Sequence, residues 1–475
     1  MFLRYFYNEK LAHASYMVGC QATGEAIVVD PGRDVEPYLC AAEAQGLRIV
    51  AATETHIHAD FVSGARELAE RTGAKLYLSD EGDENWKYQF LEGYRHQLLH
   101  DGDSFKLGNV RFDVLHTPGH TPEHISFLLT DTAGADRPMG IFTGDFVFVG
   151  DVGRPDLLEK AAAQAGTAET GARQMFRSLQ RFRELPDYVQ IWPAHGAGSA
   201  CGKSLGAVPS STVGYEKLFN WALQIAQEEA FVQALLEGQP EAPKYFAMMK
   251  KLNKIGPRVL HSQPNPEHRP IRELVGVLNR GAIVVDTRPA VAYASAHLPG
   301  TLNIPYDSSF TNWAGWLVGY DDPFYLIAER HQAPQIARDL GSIGLDQVAG
   351  FFEAPTLDAW LEIGLPLQSY QMATASQTAR KITNDEVVVV DVRGQSEWDE
   401  GHVPGAKHIM LGYLPEQAAT LAADKPVVVH CATGGRSAIA ASVLQAQGIS
   451  TVINLVGGMR EWIAAGLPVA RNGVH

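Results

Sequence analysis

Short apolar runs of strand length, separated by stretches with helical spacing, fill roughly the first 250 residues. Met1-Phe-Leu-Arg-Tyr-Phe-Tyr-Asn reads as a strand, Ala26-Ile-Val-Val-Asp-Pro-Gly32 as a buried strand ending in a turn, and Ile49-Val-Ala-Ala-Thr-Glu-Thr55 as another. Gly64 to Thr72 and Thr170 to Leu185 place apolar residues three and four apart and predict helices. Tyr215 to Leu236 contains no Gly or Pro and predicts one or two more. Residues 255–270 hold four prolines among polar residues, the pattern of a linker.

The remainder repeats itself. Val284-Val-Asp286-Thr-Arg288 recurs as Val389-Val-Asp391-Val-Arg393, and Ala296-His297-Leu-Pro-Gly300 as Gly401-His402-Val-Pro-Gly405, both 105 positions on. Gly364-Leu-Pro366 and Gly466-Leu-Pro468 continue the match with a small offset. That period is too long for a solenoid and implies two copies of one domain. Each copy reads strand, helix, strand, helix, which predicts a small parallel sheet covered by helices. The mostly polar residues 367–377 read as the joint between copies. Three α/β domains are therefore expected, at 1–254, 270–368 and 376–475.

Composition narrows the function. Of 475 residues, 39 are Lys or Arg and 54 Asp or Glu, a net charge of −15 without a local basic patch. Such a chain repels phosphate backbones, which argues against nucleic acid and anionic membranes as partners. Four cysteines are too few for a disulfide framework. The first residues lack the apolar core and cleavage site of a signal peptide, and no apolar run is long enough to span a bilayer. A cytoplasmic protein is expected.

The strongest chemical signal is Thr55-His56-Ile-His58-Ala-Asp60, directly after a strand. His116-Thr-Pro-Gly-His120-Thr-Pro-Glu-His124, Phe142-Thr-Gly-Asp145 and Trp192-Pro-Ala-His195-Gly follow, each at the end of another short apolar run. A single such histidine is more often an ordinary core or surface residue. Four clusters at strand ends, able to reach one rim, point to a metal site.

These motifs together resemble those of the metallo-β-lactamase superfamily over about the first 210 residues. The resemblance implies an αββα sandwich with the metal at one edge of its two sheets, and leaves open whether hydrolysis or oxygen chemistry runs there. Binuclear members carry a histidine after the aspartate of the first motif, where this chain has Phe61. A phenyl ring donates nothing to a cation, so one metal per chain is expected. Carried over from the superfamily's persulfide dioxygenases, the ligands are His56, His120 and Asp145, a two-His-one-carboxylate set suited to Fe(II). His58, Asp60 and His195 then orient ligands or substrate, or serve a second metal. A drifted but still binuclear zinc enzyme is the competing reading. Gly153-Arg154-Pro155-Asp156 resembles a segment in which the arginine lies near the substrate. Arg154 is thus a candidate anchor for a thiol cofactor's carboxylate, or else an ordinary surface ion pair.

Val427-Val-Val-His430-Cys431-Ala432-Thr433-Gly434-Gly435-Arg436 is a buried strand, a short loop and the start of a helix. The backbone N–H groups of such a loop, and the helix end, favour a thiolate, and Arg436 adds a cation. With Asp391-Val-Arg393 and Glu397 to Ala406, the segment resembles the rhodanese family, which implies that Cys431 carries sulfane sulfur. In the first copy the same alignment puts Ala328 opposite Cys431, followed by Glu329-Arg-His-Gln-Ala-Pro334. That copy reads as inactive. Cys201, six residues past His195, is a candidate sulfur relay whose pKa Lys203 would lower, or a loop cysteine of no consequence. Cys20 and Cys40 read as core residues.

The resemblances imply an Fe(II) persulfide dioxygenase joined to a sulfurtransferase. Its partners would be O2, a low-molecular-weight thiol persulfide (glutathione, coenzyme A or similar) and thiosulfate or sulfite, with a homo-oligomer as the expected assembly. The alternatives are a glyoxalase II-like zinc thioester hydrolase with an appended sulfurtransferase domain, and a non-catalytic sulfur-responsive scaffold.

Overall fold

The computed structural model describes residues 1–157, 159, 166–203, 205–353, 366–421 and 425–471. The chain forms two compact units, Met1–Gln263 with Gly341–Gly344, and Pro264–Leu340 with Leu345–His475.

The first unit is built on two six-stranded sheets. One runs β1 (Phe2–Asn8), β2 (His13–Cys20), β3 (Glu25–Val29), β4 (Arg48–Thr53), β5 (Lys75–Ser79) and β6 (His96–Leu99), its first two pairings antiparallel and the rest parallel. The other runs, from its far edge, β12 (Ser211–Thr212), β11 (Gln190–Pro193), β10 (Gly140–Gly144), β9 (Ile125–Asp131), β8 (Val110–His116) and β7 (Ser104–Leu107), with β10 and β11 parallel.

Alternation along each strand makes the layers. Tyr16, Val18, Ile27 and Val29 face the second sheet and pack with Phe112, Phe127, Phe142 and Trp192. Met17, Ala26 and Val28 face outward, onto Tyr38, Ala41 and Leu68 of the helices Glu36–Ala44 and Ala65–Thr72. On the other outer face Ile141 and Ile191 meet Met175, Leu179, Phe231 and Leu235 of the helices Thr167–Arg183 and Glu228–Leu236. Each fully buried Leu, Ile or Phe contributes about 1.5–3 kcal/mol, so both layers of the αββα sandwich are closed by apolar contact.

Where the sequence predicts one or two helices over Tyr215 to Leu236, there are three short ones, Val213–Phe219, Trp221–Gln224 and Glu228–Leu236. The break falls at Asn220, whose side chain accepts from Ala222 N–H and donates to Asp151 O and Glu216. A side chain that ties down neighbouring polar groups competes with helix continuation. The proline-rich stretch has no regular helix, yet Leu260 and His261 donate their N–H groups to Glu67 at 2.7 and 2.9 Å. Cys20 is buried as expected, whereas Cys40 is exposed on its helix.

The second unit contains two parallel sheets. The four-stranded one is ordered β14 (Leu302–Asn303), β13 (Val284–Asp286), β15 (Phe324–Ala328), β16 (Val348–Glu353). The five-stranded one is ordered β17 (Gln371–Ala373), β21 (Val452–Leu455), β20 (Val427–His430), β18 (Val388–Asp391), β19 (Lys407–His408). The predicted joint thus supplies a strand, β17, in which only Ala373 is buried. An edge strand with one inward side chain lacks the apolar alternation that would reveal it. Gly364 and Leu365 of the repeat's last motif lie outside the described residues.

Both copies keep one scaffold. Arg288 pairs with Asp286 at 2.6 Å and donates to Ala296 O; Arg393 pairs with Asp391 at 2.7 Å and donates to Gly401 O. Tyr293 stacks on His297 at 3.8 Å, and Trp398 on His402 at 3.5 Å. The two copies interlock where Trp316 covers Gly412. A Cβ on Gly412 would lie 2.2 Å from a Trp316 ring carbon. Gly412→Ala is therefore expected to destabilise this unit by about 1–3 kcal/mol through overpacking, read as a lower urea midpoint for its transition. An unchanged midpoint would mean that the indole swings away freely.

Candidate functional site

The ends of four strands deliver the site. His56 and His58 follow β4, His120 follows β8, Asp145 follows β10 and His195 follows β11. All are buried. His56, His120 and Asp145 bring one ligand atom each to within 4.8 Å of one another.

The orientation of each ring is set from behind. Thr55 Oγ1 donates to Asp30 Oδ2 (3.0 Å), which leaves its lone pairs for His56 Nδ1–H at 3.0 Å. His120 Nδ1 lies 3.0 Å from Arg154 O, and His195 Nδ1 3.0 Å from Ala12 O. A ring that donates from Nδ1 presents an Nε2 lone pair. His120 Nε2 then lies 3.4 Å from Asp145 Oδ2, and His195 Nε2 3.4 Å from Asp145 Oδ1. His56 Nε2, His195 Nε2, Asp60 Oδ2 and both Asp145 carboxylate oxygens are buried without a hydrogen-bond partner. Lone pairs facing carboxylate oxygens in a dry site repel unless a cation lies between them. The donor set fits a divalent metal ion.

Electrostatics agree with neutral ligands at the first position. Burial, then His58 and the neighbouring rings, holds His56 well below the ordinary histidine range, and burial also lowers His120. At His195 burial opposes the charge, but Asp145 and Asp60 outweigh it and raise the pKa.

His58 turns aside from this set. Its Nε2 lies 3.0 Å from Asp30 Oδ1, while Phe61 packs 4.4 Å from its ring and 3.8 Å from that of His13. Asp60 lies 3.1 Å from His195 and groups with it and with Cys201. Two expectations need correction. Arg154 is neither a surface residue nor open to a substrate carboxylate. It is fully buried and donates to both oxygens of Asp156 (2.7 and 2.6 Å), to Ala200 O and to Pro240 O. Lys203 does not activate Cys201, because its ammonium donates to Ala234 O and Glu237 O. The Cys201 thiol is instead pushed up to about 12, by burial and then by Asp145.

Sequence reasoning missed several supports. Asp30, at φ +50 after β3, receives Thr55 N–H at 2.7 Å. Glu123 Oε1 accepts Ile57 N–H at 2.8 Å, between the two histidines of the first motif, and His124 Nε2 accepts Asp145 N–H at 3.1 Å. His13 is buried beside Phe61. The available signals were Asp30's place at a strand end and the presence of Glu123 and His124 in the second histidine cluster; His13 opens a strand and carries none.

At the other site Cys431 follows β20 and is buried. Its Sγ accepts Gly434 N–H at 3.1 Å, at the start of the helix Gly435–Ala446. Met459 N–H and Arg460 N–H hold Cys431 O and Ala432 O from outside, at 2.8 and 3.1 Å. Arg436 is clamped by Glu397 through two bonds of 2.6 and 2.7 Å. Thr433 and Gly435 complete the loop. Asp391 pairs with His430 across the sheet as Asp286 pairs with Ile327, so the next residue, Ala328, stands where Cys431 does.

Two substitutions separate roles here. A Cβ on Gly153 would lie 1.8 Å from Asp145 O. Backbone on both sides cannot yield, so Gly153→Ala is expected to displace Asp145 and lower bound metal by tenfold or more in equilibrium dialysis; full retention would detach Asp145 from the site. Arg154→Met should cost about 3–5 kcal/mol of stability by breaking the buried Arg154–Asp156 ion pair, measured by denaturation. A change confined to substrate KM would restore a binding role.

Residues 9–195 match the model of the Metallo-beta-lactamase superfamily, and residues 374–465 that of the Rhodanese-like domain. A crystal structure of a metallo-beta-lactamase from Staphylococcus aureus is 44% identical, with a TM-score of 0.67, covering 74% of this chain and 99% of that one. A beta-lactamase hydrolase-like protein of Xylella fastidiosa is 28% identical over 301 residues, 58% of this chain and 64% of that protein. A hydroxyacylglutathione hydrolase of Xanthomonas euvesicatoria is 35% identical over 209 residues, 44% of this chain and 68% of that protein. The chain thus spans somewhat under two thirds of the Xylella relative's length. It belongs to the metallo-β-lactamase superfamily and carries a rhodanese-like domain behind that fold.

Proposed function

We propose that the first unit is a persulfide dioxygenase with one Fe(II) per chain held by His56, His120 and Asp145, and that Cys431 is a sulfurtransferase nucleophile. The observation that carries this reading is the convergence of two imidazoles and one carboxylate, with Phe61 in place of a further nitrogen donor. Two-His-one-carboxylate sets leave several positions open and suit non-haem iron. Iron bound there would bring a persulfide sulfur and O2 together and support oxygen insertion into sulfur. The overall change is persulfide, O2 and water giving thiol, sulfite and two protons.

The protein's own part is orientation and exclusion of water. Thr55, Asp30 and the carbonyls of Ala12 and Arg154 fix the rings. Phe61 and Phe148, both buried, line the apolar side near His195 and His13. In the second unit Cys431 would take sulfane sulfur as a persulfide, with Gly434 N–H at its Sγ. Sulfite attacking that persulfide leaves Cys431 as a thiolate and forms thiosulfate. One covalent chain keeps both centres at an effective concentration that separate proteins would lack. On this reading residues 270–368 are a rhodanese-like copy that kept the scaffold and lost the nucleophile. The reading also places the protein in the cytoplasm; among the described residues no helix is long and apolar enough to cross a membrane.

A second reading has a specific observation in its favour. Relatives such as the Xanthomonas protein carry the name hydroxyacylglutathione hydrolase, which supports zinc and thioester cleavage. The two readings part in one assay. Protein purified without oxygen is expected to hold iron and to consume O2 with glutathione persulfide, and His56→Ala to lose both. Cys431→Ser should keep O2 uptake and lose transfer of sulfane sulfur to sulfite. Zinc-loaded protein that cleaves a glutathione thioester and ignores persulfide would establish the hydrolase instead.

A further inference from the structure

One hydroxyl proton under the Cys431 loop has three acceptors within reach. Ser437 is fully buried on the helix Gly435–Ala446, and its Oγ stands 2.7 Å from Asn454 Oδ1, 3.1 Å from Gly434 O and 3.6 Å from Cys431 Sγ. A hydroxyl donates once, and only the shortest of these has the normal length of an O–H···O bond. The proton therefore rests on Asn454. The orientation of that amide is set by Gly434 O, which accepts from Asn454 Nδ2 at 3.4 Å and would repel Oδ1.

Asn454 lies on β21, on the face opposite Ile453 and Leu455, which pack into the apolar core of the sheet. A buried amide is costly unless its hydrogen bonds are made, and here they are spent on Ser437 and Gly434. The four-stranded sheet supplies a comparison within the same chain. Leu326 pairs with Phe351 as Val429 pairs with Asn454, so Phe351 occupies the place of the amide. The alignment that sets Ala328 opposite Cys431 sets Pro334 opposite Ser437. Thiol, hydroxyl and amide are thus absent together, whereas the Asp–Arg pair occurs in both sheets.

We propose that Asn454 is a positioning residue for Cys431 that acts through Ser437. By holding the hydroxyl proton it keeps that proton off Sγ. The sulfur then takes Gly434 N–H at 3.1 Å and keeps lone pairs free for an incoming sulfur atom. A thiolate that accepts a further O–H bond is more stable and a weaker nucleophile. The inference rests on the reading of Cys431 as a sulfur-carrying nucleophile, but the place of the proton is tested without any sulfur substrate.

The test is the rate at which iodoacetamide alkylates Cys431 in reduced full-length protein. It is followed on the Cys431 peptide by mass spectrometry, at a pH where the rate has levelled off. Asn454→Leu removes the acceptor, the hydroxyl turns to Sγ, and the rate should fall about tenfold. Adding Ser437→Ala removes the misdirected proton and should return the rate to within about twofold of the parent. Asn454→Ala carries the same pair of expectations if leucine prevents folding. Deleting a second buried group does not repair a damaged fold, so the recovery separates positioning from mere support. An unchanged rate without the Asn454 amide, or a loss that Ser437→Ala leaves standing, overturns the proposal. Protein that alkylates in the expected pattern yet moves no sulfane sulfur to sulfite would remove the sulfurtransferase reading and keep the assignment of Asn454.

Discussion

Everything at the metal edge follows from Asp145, a carboxylate with 0% exposure and no hydrogen bond to either oxygen. An isolated buried carboxylate costs several kcal/mol even after relaxation. Around it stand His120 and His195, each with Nδ1 committed to a backbone carbonyl, Arg154 O or Ala12 O, and Nε2 turned to an Asp145 oxygen. A divalent cation among these atoms would satisfy His120 and both carboxylate oxygens together. The two sheets, the Asp30–Thr55 relay and the His124 acceptor on Asp145 N–H keep these groups in place.

The second unit uses one set of supporting contacts twice, around loops of different sequence. Asp–Arg pairs, stacked aromatic–histidine pairs and parallel sheets occur in both copies. The copy with Ala328 lacks the thiol, and at the offset of the repeat Ala292 stands where Glu397 clamps Arg436 in the other. Thiol and carboxylate clamp are absent together from that segment. What the two copies still share is mutual burial: the helix behind Cys431 is buried from Ser437 to Gln445, and Asn303 N–H reaches Ser442 Oγ at 2.9 Å.

The positions of the candidate residues were legible in the sequence because they sit at strand ends. His56, His120, Asp145, His195 and Cys431 each follow a short apolar run, and period-two burial marks such runs clearly. The layered fold and the parallel sheets were legible for the same reason. Contacts between distant loops were not. The resemblance placed Arg154 near a substrate, with a surface ion pair as the alternative, and nothing local reveals that it is buried or that Ala200 and Pro240 share its donors with Asp156. It gave Cys201 an activating lysine because spacing alone cannot show Lys203 turning to Ala234 and Glu237. Polar edge strand β17 and the break at Asn220 were hidden likewise, since one lacks apolar alternation and the other depends on side-chain bonds to Asp151 and Glu216.

The most direct test of the central claim is electron paramagnetic resonance of anaerobic ferrous protein after addition of nitric oxide, a reporter of open positions on a single iron. The account predicts a high-spin quartet signal integrating to about one spin per chain, altered when a thiol persulfide is added first. Protein that binds two zinc ions in preference to iron, or an iron form that stays silent with nitric oxide, would contradict it.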